Sequence, residues 1–330
     1  MTGQIILSPM PTVECNRLDL FPARLRGAVL CIGNFDGVHV GHRAMLQEAK
    51  NIAASQGRPW AVMTFNPHPL AVLRPAKPPA LLLTYSQRRE CLLEFSPDAL
   101  ITVPVTPAFL ALSAEDFLTR VIAETLAASH LVEGPGFTFG HQALGTVQTL
   151  IAAGPRHGFK VTIMPMISAT LSNYLEAPVS SSLIRRLVVA GRMRDAHQTL
   201  GRPFTLRGEV IRGAQRGAAL GYPTINIQTA QVLPAAAVYA GAALANDQWH
   251  PAAISVGTNA TFGDGPATVE AFLLNFSGNL YGATVDVQFH RFLRDQDTFS
   301  GIDTLVRQIE RDVAEVARWR EVAAPAVSAA

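Results

Sequence analysis

In the first half of the chain, short apolar runs alternate with longer stretches of helical period. Val29–Gly33 opens the series as a buried strand, and a helix follows over His42–Gln56, stopping at Gly57. Strand Trp60–Phe65 leads to helix Ser86–Phe95, and strand Ala99–Val103 leads to helix Ala114–Ala127, for which Ser113 is the N-cap. Strand His130–Glu133 leads through a glycine-rich loop to helix Ala143–Ala153, and strand Lys160–Met164 closes the series. This rhythm predicts a Rossmann-like parallel sheet with helices on both faces, binding ligands beyond the carboxyl ends of its strands. Two short helices, Ser180–Val189 and Met193–Leu200, are broken by Gly191.

The pattern changes at Gly201-Arg202-Pro203. Strands such as Phe204–Ile211, Ala237–Leu244, His250–Val256, Val269–Phe276 and Thr284–Phe289 follow, with Gly, Pro and Asn turns between them. That spacing predicts an antiparallel β-barrel or sandwich. Ile302, Leu305, Ile309, Val313 and Val316 then mark one side of a helix over Gly301–Trp319, and the tail Ala323–Ala330 is expected to fray. The expected organisation is an α/β domain over residues 1–200 and a β domain with a C-terminal helix over 201–330.

Composition narrows the function. Hydrophobic residues make up 48% of the chain and charged residues 16%, enough for large cores. A formal net charge of +2 gives no electrostatic footprint for nucleic acid or a membrane surface. Cys15, Cys31 and Cys91 are isolated, without metal-type pairing, and the residues before Arg17 lack a basic segment followed by an apolar core. With no apolar run of membrane length, a soluble cytoplasmic protein is expected, as a monomer or weak homo-oligomer.

The candidate chemistry lies in loops. Gly33-Asn34-Phe35-Asp36-Gly37-Val38-His39-Val40-Gly41-His42 follows the first strand and opens a helix. Glycines permit close approach of the backbone, and imidazoles beside the open N–H groups of a helix start suit phosphate oxygens. The same residues also read as a turn with two structural histidines. Ser180-Ser181-Ser182-Leu183-Ile184-Arg185 places hydroxyls and a guanidinium at another helix start, where the alternatives are anion binding or ordinary capping. In the second half, Gly213, Gly217 and Gly221 precede Pro223-Thr224-Ile225-Asn226. Thr224 and Asn226 share one face of a strand, so their oxygens can hold Mg²⁺ beside ATP, or simply form the polar face of a hairpin. Glu270 stands in an apolar strand, where a carboxylate is costly without a function or a partner.

Taken together, these segments resemble the prokaryotic bifunctional riboflavin kinase/FAD synthetases, whose first module carries GxFDGxHxGH, Phe-x-Pro-His-Pro and SSTxIR segments. Here they stand as the Gly33–His42 loop, Phe65-Asn66-Pro67-His68-Pro69 and Ser180–Arg185. The resemblance implies phosphorylation of riboflavin to FMN by the second module and transfer of AMP from ATP to FMN by the first, with FAD and pyrophosphate as products and Mg²⁺ as cofactor. It assigns His39, His42 and Arg185 to phosphate stabilisation, and Gly33, Asn34, Phe35, Asp36, Gly37, Ser180, Ser181 and Ser182 to ATP. Phe65 and Phe137 are assigned to the flavin. In the second module it assigns Gly213, Gly217, Leu220, Gly221, Pro223 and Thr224 to ATP, Thr224 and Asn226 to Mg²⁺, Glu270 to the general base and Arg294 to the flavin. Gly257-Thr258-Asn259-Ala260-Thr261-Phe262-Gly263 matches a further segment. Two departures stand out: Gly136 replaces the acid of a Gly-x-Asp-Phe-x-Phe-Gly segment, and Thr146 replaces the Asp of a Gly-Asp. The first leaves open a riboflavin kinase with an altered adenylyltransferase module; a flavin- or nucleotide-binding regulator without turnover is the reading of another class.

Overall fold

The computed structural model describes residues 11–213, 217, 220–257 and 268–323, with side chains to residue 319. Loop residues 214–216 and 218–219, the Thr258–Gly263 segment and the tail from 324 onward lie outside the described residues. The chain forms two compact units, one running to Pro79 and from Tyr85 to Ile167, the other comprising Ala80–Thr84 and the chain from Ser168 onward.

The first unit is built on β1 (Val13–Cys15), β2 (Val29–Ile32), β3 (Trp60–Asn66), β4 (Ala99–Pro104), β5 (His130–Glu133), the short pair β6 (Thr138–Phe139) and β7 (Gly145–Thr146), and β8 (Lys160–Ile163). The large sheet has the order β1-β4-β3-β2-β5-β8, and each neighbouring pair is parallel. All four residues of β2 are buried, as a strand covered on both faces requires. From β2 the order runs outward through β3 in one direction and through β5 in the other. The carboxyl ends of β2 and β5 therefore flank the switch point, where such sheets open a crevice for ligands.

Most helices stand where the periodicity puts them. Val40–Gln56 follows β2 and ends on Gly57, whose φ of 61° suits glycine. Ser113 caps the helix beginning at Ala114 by accepting from the Asp116 N–H. After one α-turn the chain widens into a π-helix over Phe117–Thr125, which no periodic pattern announces. The helix expected from Ala143 begins at Val147 instead. Thr146 caps it in a reciprocal pair with Thr149, while His141–Ala143 forms a separate 3-10 turn. Thr146 therefore still supplies the N-cap oxygen at the position of that departure.

The second unit begins with the hairpin β9 (Ser168–Thr170) and β10 (Glu176–Pro178), followed by helices Ser181–Val189 and Met193–Leu200. Then come β11 (Phe204–Ile211), β12 (Ile225–Gln228), β13 (Ala237–Ala245), β14 (Gln248–Gly257), β15 (Thr268–Leu273) and β16 (Thr284–Asp295). These six strands close an antiparallel barrel in the order β11-β12-β15-β14-β13-β16. Helix Met193–Leu200 packs on β11 and β16. The Leu81 carbonyl accepts the Val232 N–H, and the Gln231 side-chain amide donates to the Leu82 carbonyl at 2.8 Å. For these reasons residues 168–200 and 80–84 group with the barrel, and the compact units divide elsewhere than at residue 200.

The last helix, Ile302–Ala323, lays Val313 and Val316 against Ala240, Ala253, Phe272 and Leu293 on the barrel exterior. Ile302, counted above on its apolar side, is exposed. His290 of β16 meets the Trp319 ring at 4.7 Å and His197 at 6.5 Å. Burial, and secondarily His197, lower its pKa to about 4. An unfolded histidine takes its proton near pH ~6.5, so the contribution of His290 to stability is complete above that pH and is lost as pH falls through about 4. Thermal unfolding monitored between those limits should show the midpoint falling with acidification, and His290→Phe should flatten that dependence.

Candidate functional site

The Gly33–His42 loop leaves β2 at the switch point. Phe35 and Val38 hold positive φ values of 48° and 37° while fully buried, so packing enforces a backbone that a β-branched residue disfavours. His39 is the N-cap of the first helix, its Nδ1 accepting from the His42 N–H at 3.3 Å. That bond fixes the tautomer: in neutral His39 the proton sits on Nε2. The two imidazoles stack with centroids 3.6 Å apart at 16°. A Cβ on Gly41 would stand 3.3 Å from the His39 ring, so glycine keeps that ring uncrowded. Phe35 meets His42 edge-on at 5.3 Å. Burial first, and His39 second, push the His42 pKa well below its usual value. Its Nδ1 and the Asn34 Oδ1 are both buried without a hydrogen-bond partner. Unsatisfied polar atoms at a helix start beside a switch point are what a phosphate or nucleotide group completes.

Two residues that the sequence reading passed over shape this site. Arg88, 3% exposed, donates through Nη1 to the Asn34 carbonyl at 2.9 Å and through Nη2 to the Phe65 carbonyl at 2.6 Å. It ties the loop after β2 to the end of β3. Glu133 ends β5 as a buried carboxyl that accepts from the Ile32 N–H at 2.9 Å. His68 accepts from the Leu70 N–H and caps a short helix, which gives it a local structural task.

The residues assigned to the flavin belong to an aromatic series. Phe65 lies 6.0 Å from Phe109, Phe109 6.3 Å from Phe117, Phe117 5.5 Å from Phe139, and Phe139 5.6 Å from Phe137. Phe65 and Phe137, its two ends, are partly exposed. An added Cβ at Gly136 meets no atom within 4 Å, so the glycine there reflects no steric demand.

The Ser180–Arg185 segment lies in the second unit. The Ser180 hydroxyl is already engaged as N-cap, accepting from the Leu183 N–H at 3.2 Å. Ser181 and Ser182 occupy the first turn, and Arg185 Nε donates to the Ala80 carbonyl at 2.8 Å.

In the barrel, antiparallel register sets Asn226 opposite Glu270, and Glu270 opposite Ser255. Val269 and Ala271, on the other face, are buried, as are Val256 and Ile254 opposite them. Glu270, Asn226 and Ser255 thus share the outer face. The Thr224 hydroxyl stands 3.5 Å from Glu270 Oε2. Gly213 passes so close to Asn226 that a Cβ would lie 2.2 Å from its amide nitrogen. The Gly217 carbonyl accepts from the Leu220 and Tyr222 N–H groups, folding the glycine loop back toward Thr224. Hydroxyl, amide and carboxylate oxygens so gathered fit a small hard cation held partly by substrate phosphates. Among the described residues there is no cluster of three acidic, His or Cys side chains to hold a metal alone.

Arg294 Nε and Nη2 donate to Asp312, at 3.1 Å and 2.8 Å, and Nη1 donates to the Asp295 carbonyl at 3.0 Å, so its guanidinium ties β16 to the last helix.

The comparisons follow this geometry. A FAD synthetase family model matches residues 21–182 and a riboflavin kinase model residues 200–320. The bifunctional riboflavin kinase/FMN adenylyltransferase of Listeria monocytogenes is 33% identical, over 86% of this chain and 90% of its own length. That of Escherichia coli K12 is 32% identical, over 89% of this chain and 93% of its own. A crystal structure titled a macrolide-efflux protein from Streptococcus pneumoniae, 28% identical, superposes with a TM-score of 0.81 over 93% of this chain and 99% of that one. Among the described residues, no helix of this chain is long and apolar enough to cross a membrane.

Proposed function

This chain belongs to the bifunctional riboflavin kinase/FMN adenylyltransferases, which convert riboflavin to FMN and FMN to FAD, and on that premise we propose which of its residues carry each transfer. Adenylyl transfer belongs to residues 1–200 and riboflavin phosphorylation to 201–330, a functional division that follows the matched models rather than the compact units.

In adenylyl transfer a phosphate oxygen of FMN attacks the α-phosphorus of ATP, and the bond to pyrophosphate breaks. The protein positions the reactants and neutralises charge. Neutral His39 donates through Nε2, and His42 lies stacked against it, so both rings meet the α-phosphate without having to be protonated. Gly33–Gly37 lets the backbone approach the nucleotide, with Arg88 holding that loop in place. Ser181, Ser182 and Arg185 take the β- and γ-oxygens, and Ser180 contributes by shaping the helix start. Phe65 and Phe137 offer partly exposed faces to the flavin ring.

In phosphorylation the ribityl hydroxyl attacks the γ-phosphorus and ADP leaves. Glu270 accepts the hydroxyl proton. Thr224 and Asn226 hold Mg²⁺, which when bound neutralises phosphate charge, and Gly213, Gly217, Leu220, Gly221 and Pro223 form the loop over ATP. A soluble, cytoplasmic, monomeric or weakly self-associating enzyme is proposed, consistent with Cys15, Cys31 and Cys91 standing as buried thiols.

The observation that carries this reading is the coexistence of a stacked histidine pair at a sheet switch point, the His42 Nδ1 buried without a partner, with a Thr224–Asn226–Glu270 oxygen cluster on a barrel. The purified protein supplied with riboflavin, ATP and Mg²⁺, its products separated by chromatography, should form FMN and then FAD. FMN alone, or neither product, overturns the corresponding half.

A further inference from the structure

Glu133 takes no part in the steps above, yet its place is unusual for a carboxyl. It is 1% exposed, and among the described residues it makes no ion pair. β2 and β5 pair through Val29–His130 and Leu30–Leu131, after which the ladder stops. Ile32, the last residue of β2, would otherwise present an N–H into the seam where the two strands part. Glu133 Oε1 takes that N–H at 2.9 Å, while the Glu133 carbonyl accepts from the Met164 N–H of the chain beyond β8. The side chain thus replaces a main-chain acceptor at the point where the sheet opens. The residue after Ile32 is Gly33, the first of the phosphate loop.

We propose that Glu133 is a positioning residue for adenylyl transfer: by holding the Ile32 N–H it fixes the end of β2, and with it the angle at which the Gly33–His42 loop meets the triphosphate. The inference rests on the reading of that loop as the adenylyl-transfer site. A consequence concerns charge. Burial raises the Glu133 pKa well above the usual carboxylate range, opposed only by the Ile32 N–H. The titratable groups around it are few. On β2 the Cys31 thiol is pushed up by burial and by Glu133. On β5 itself His130 responds to burial, then to Lys160 of β8 and to Glu48 of the first helix. The same helix, which packs on β5, carries His39 and His42 at its start.

The test uses the full-length enzyme and follows pyrophosphate release from ATP and FMN, beside FMN formation from riboflavin. Glu133→Gln keeps an acceptor for the Ile32 N–H; Glu133→Val removes it. Glu133→Val should lose about 10- to 100-fold in adenylyl transfer, the scale of a mispositioned reacting group, with FMN formation unchanged. Glu133→Gln, which keeps the acceptor, should keep the parental rate of adenylyl transfer. Equal activity of Glu133→Val and parent overturns the proposal. So does a Glu133→Gln variant that loses adenylyl transfer while forming FMN at the parental rate, a result that stands even where Glu133→Val does not fold. If His42→Ala leaves adenylyl transfer intact, the site reading itself fails; if His42→Ala abolishes it while Glu133→Val does not, only the role of Glu133 falls.

Discussion

Replacing His42 by Ala should lower AMP transfer from ATP to FMN by about 10²–10³ and leave FMN formation at the parental rate. The magnitude is that of removing one preorganised donor from a site where charge develops on an oxygen. His42 qualifies on geometry, since its ring stacks on His39 at 3.6 Å and its Nδ1 is buried without a partner. Its lowered pKa keeps the ring neutral near pH 7, so no acidic limb from His42 should appear in the pH–rate profile until well below the usual histidine range. The loss should fall on kcat rather than on KM for ATP, because the loop backbone that carries ground-state binding remains. Quantifying FAD from added FMN, and FMN from riboflavin, on the same preparation checks both halves. A matched loss of both products would show that the variant had damaged the whole chain rather than one site.

The sequence made much of this site legible because its parts are local. Strand, turn and helix start are contiguous from Val29 to His42, and the tasks of His39 and Gly41 follow from being a cap and the neighbour of a cap. The barrel register was implicit in the alternation of Thr224, Ile225 and Asn226. What stayed hidden is tertiary. Arg88 shares helical spacing with Cys91, Leu92 and Phe95, all buried, and that spacing is the signal that marks it as inward-facing. Glu133 closes the apolar run Leu131-Val132, the same anomaly that singled out Glu270, and it deserved the same weight. The grouping of residues 168–200 with the barrel depends on helix Met193–Leu200 meeting β11 and β16, a contact between segments that no local pattern encodes.

Glu270 provides the sharpest separation of the two activities. Glu270→Gln preserves the shape of the side chain and removes its ability to accept a proton. Removing a positioned general base typically costs about 10²–10⁴ in rate, so FMN formation should fall by that factor. Adenylylation of added FMN should proceed as in the parent, since no group of the histidine loop is altered. The position of the carboxylate argues for a loss in turnover rather than in binding. Glu270 sits opposite Asn226 in register, with the Thr224 hydroxyl 3.5 Å from its Oε2, where the oxygens proposed to hold the cation and the proposed base share one outer face of the barrel. If its task were to hold Mg²⁺–ATP, the substitution would instead raise KM for the nucleotide and leave kcat largely intact. Steady-state kinetics of FMN formation at varied ATP and riboflavin therefore decide between base and binder, and full kinase activity in Glu270→Gln would remove it from both roles.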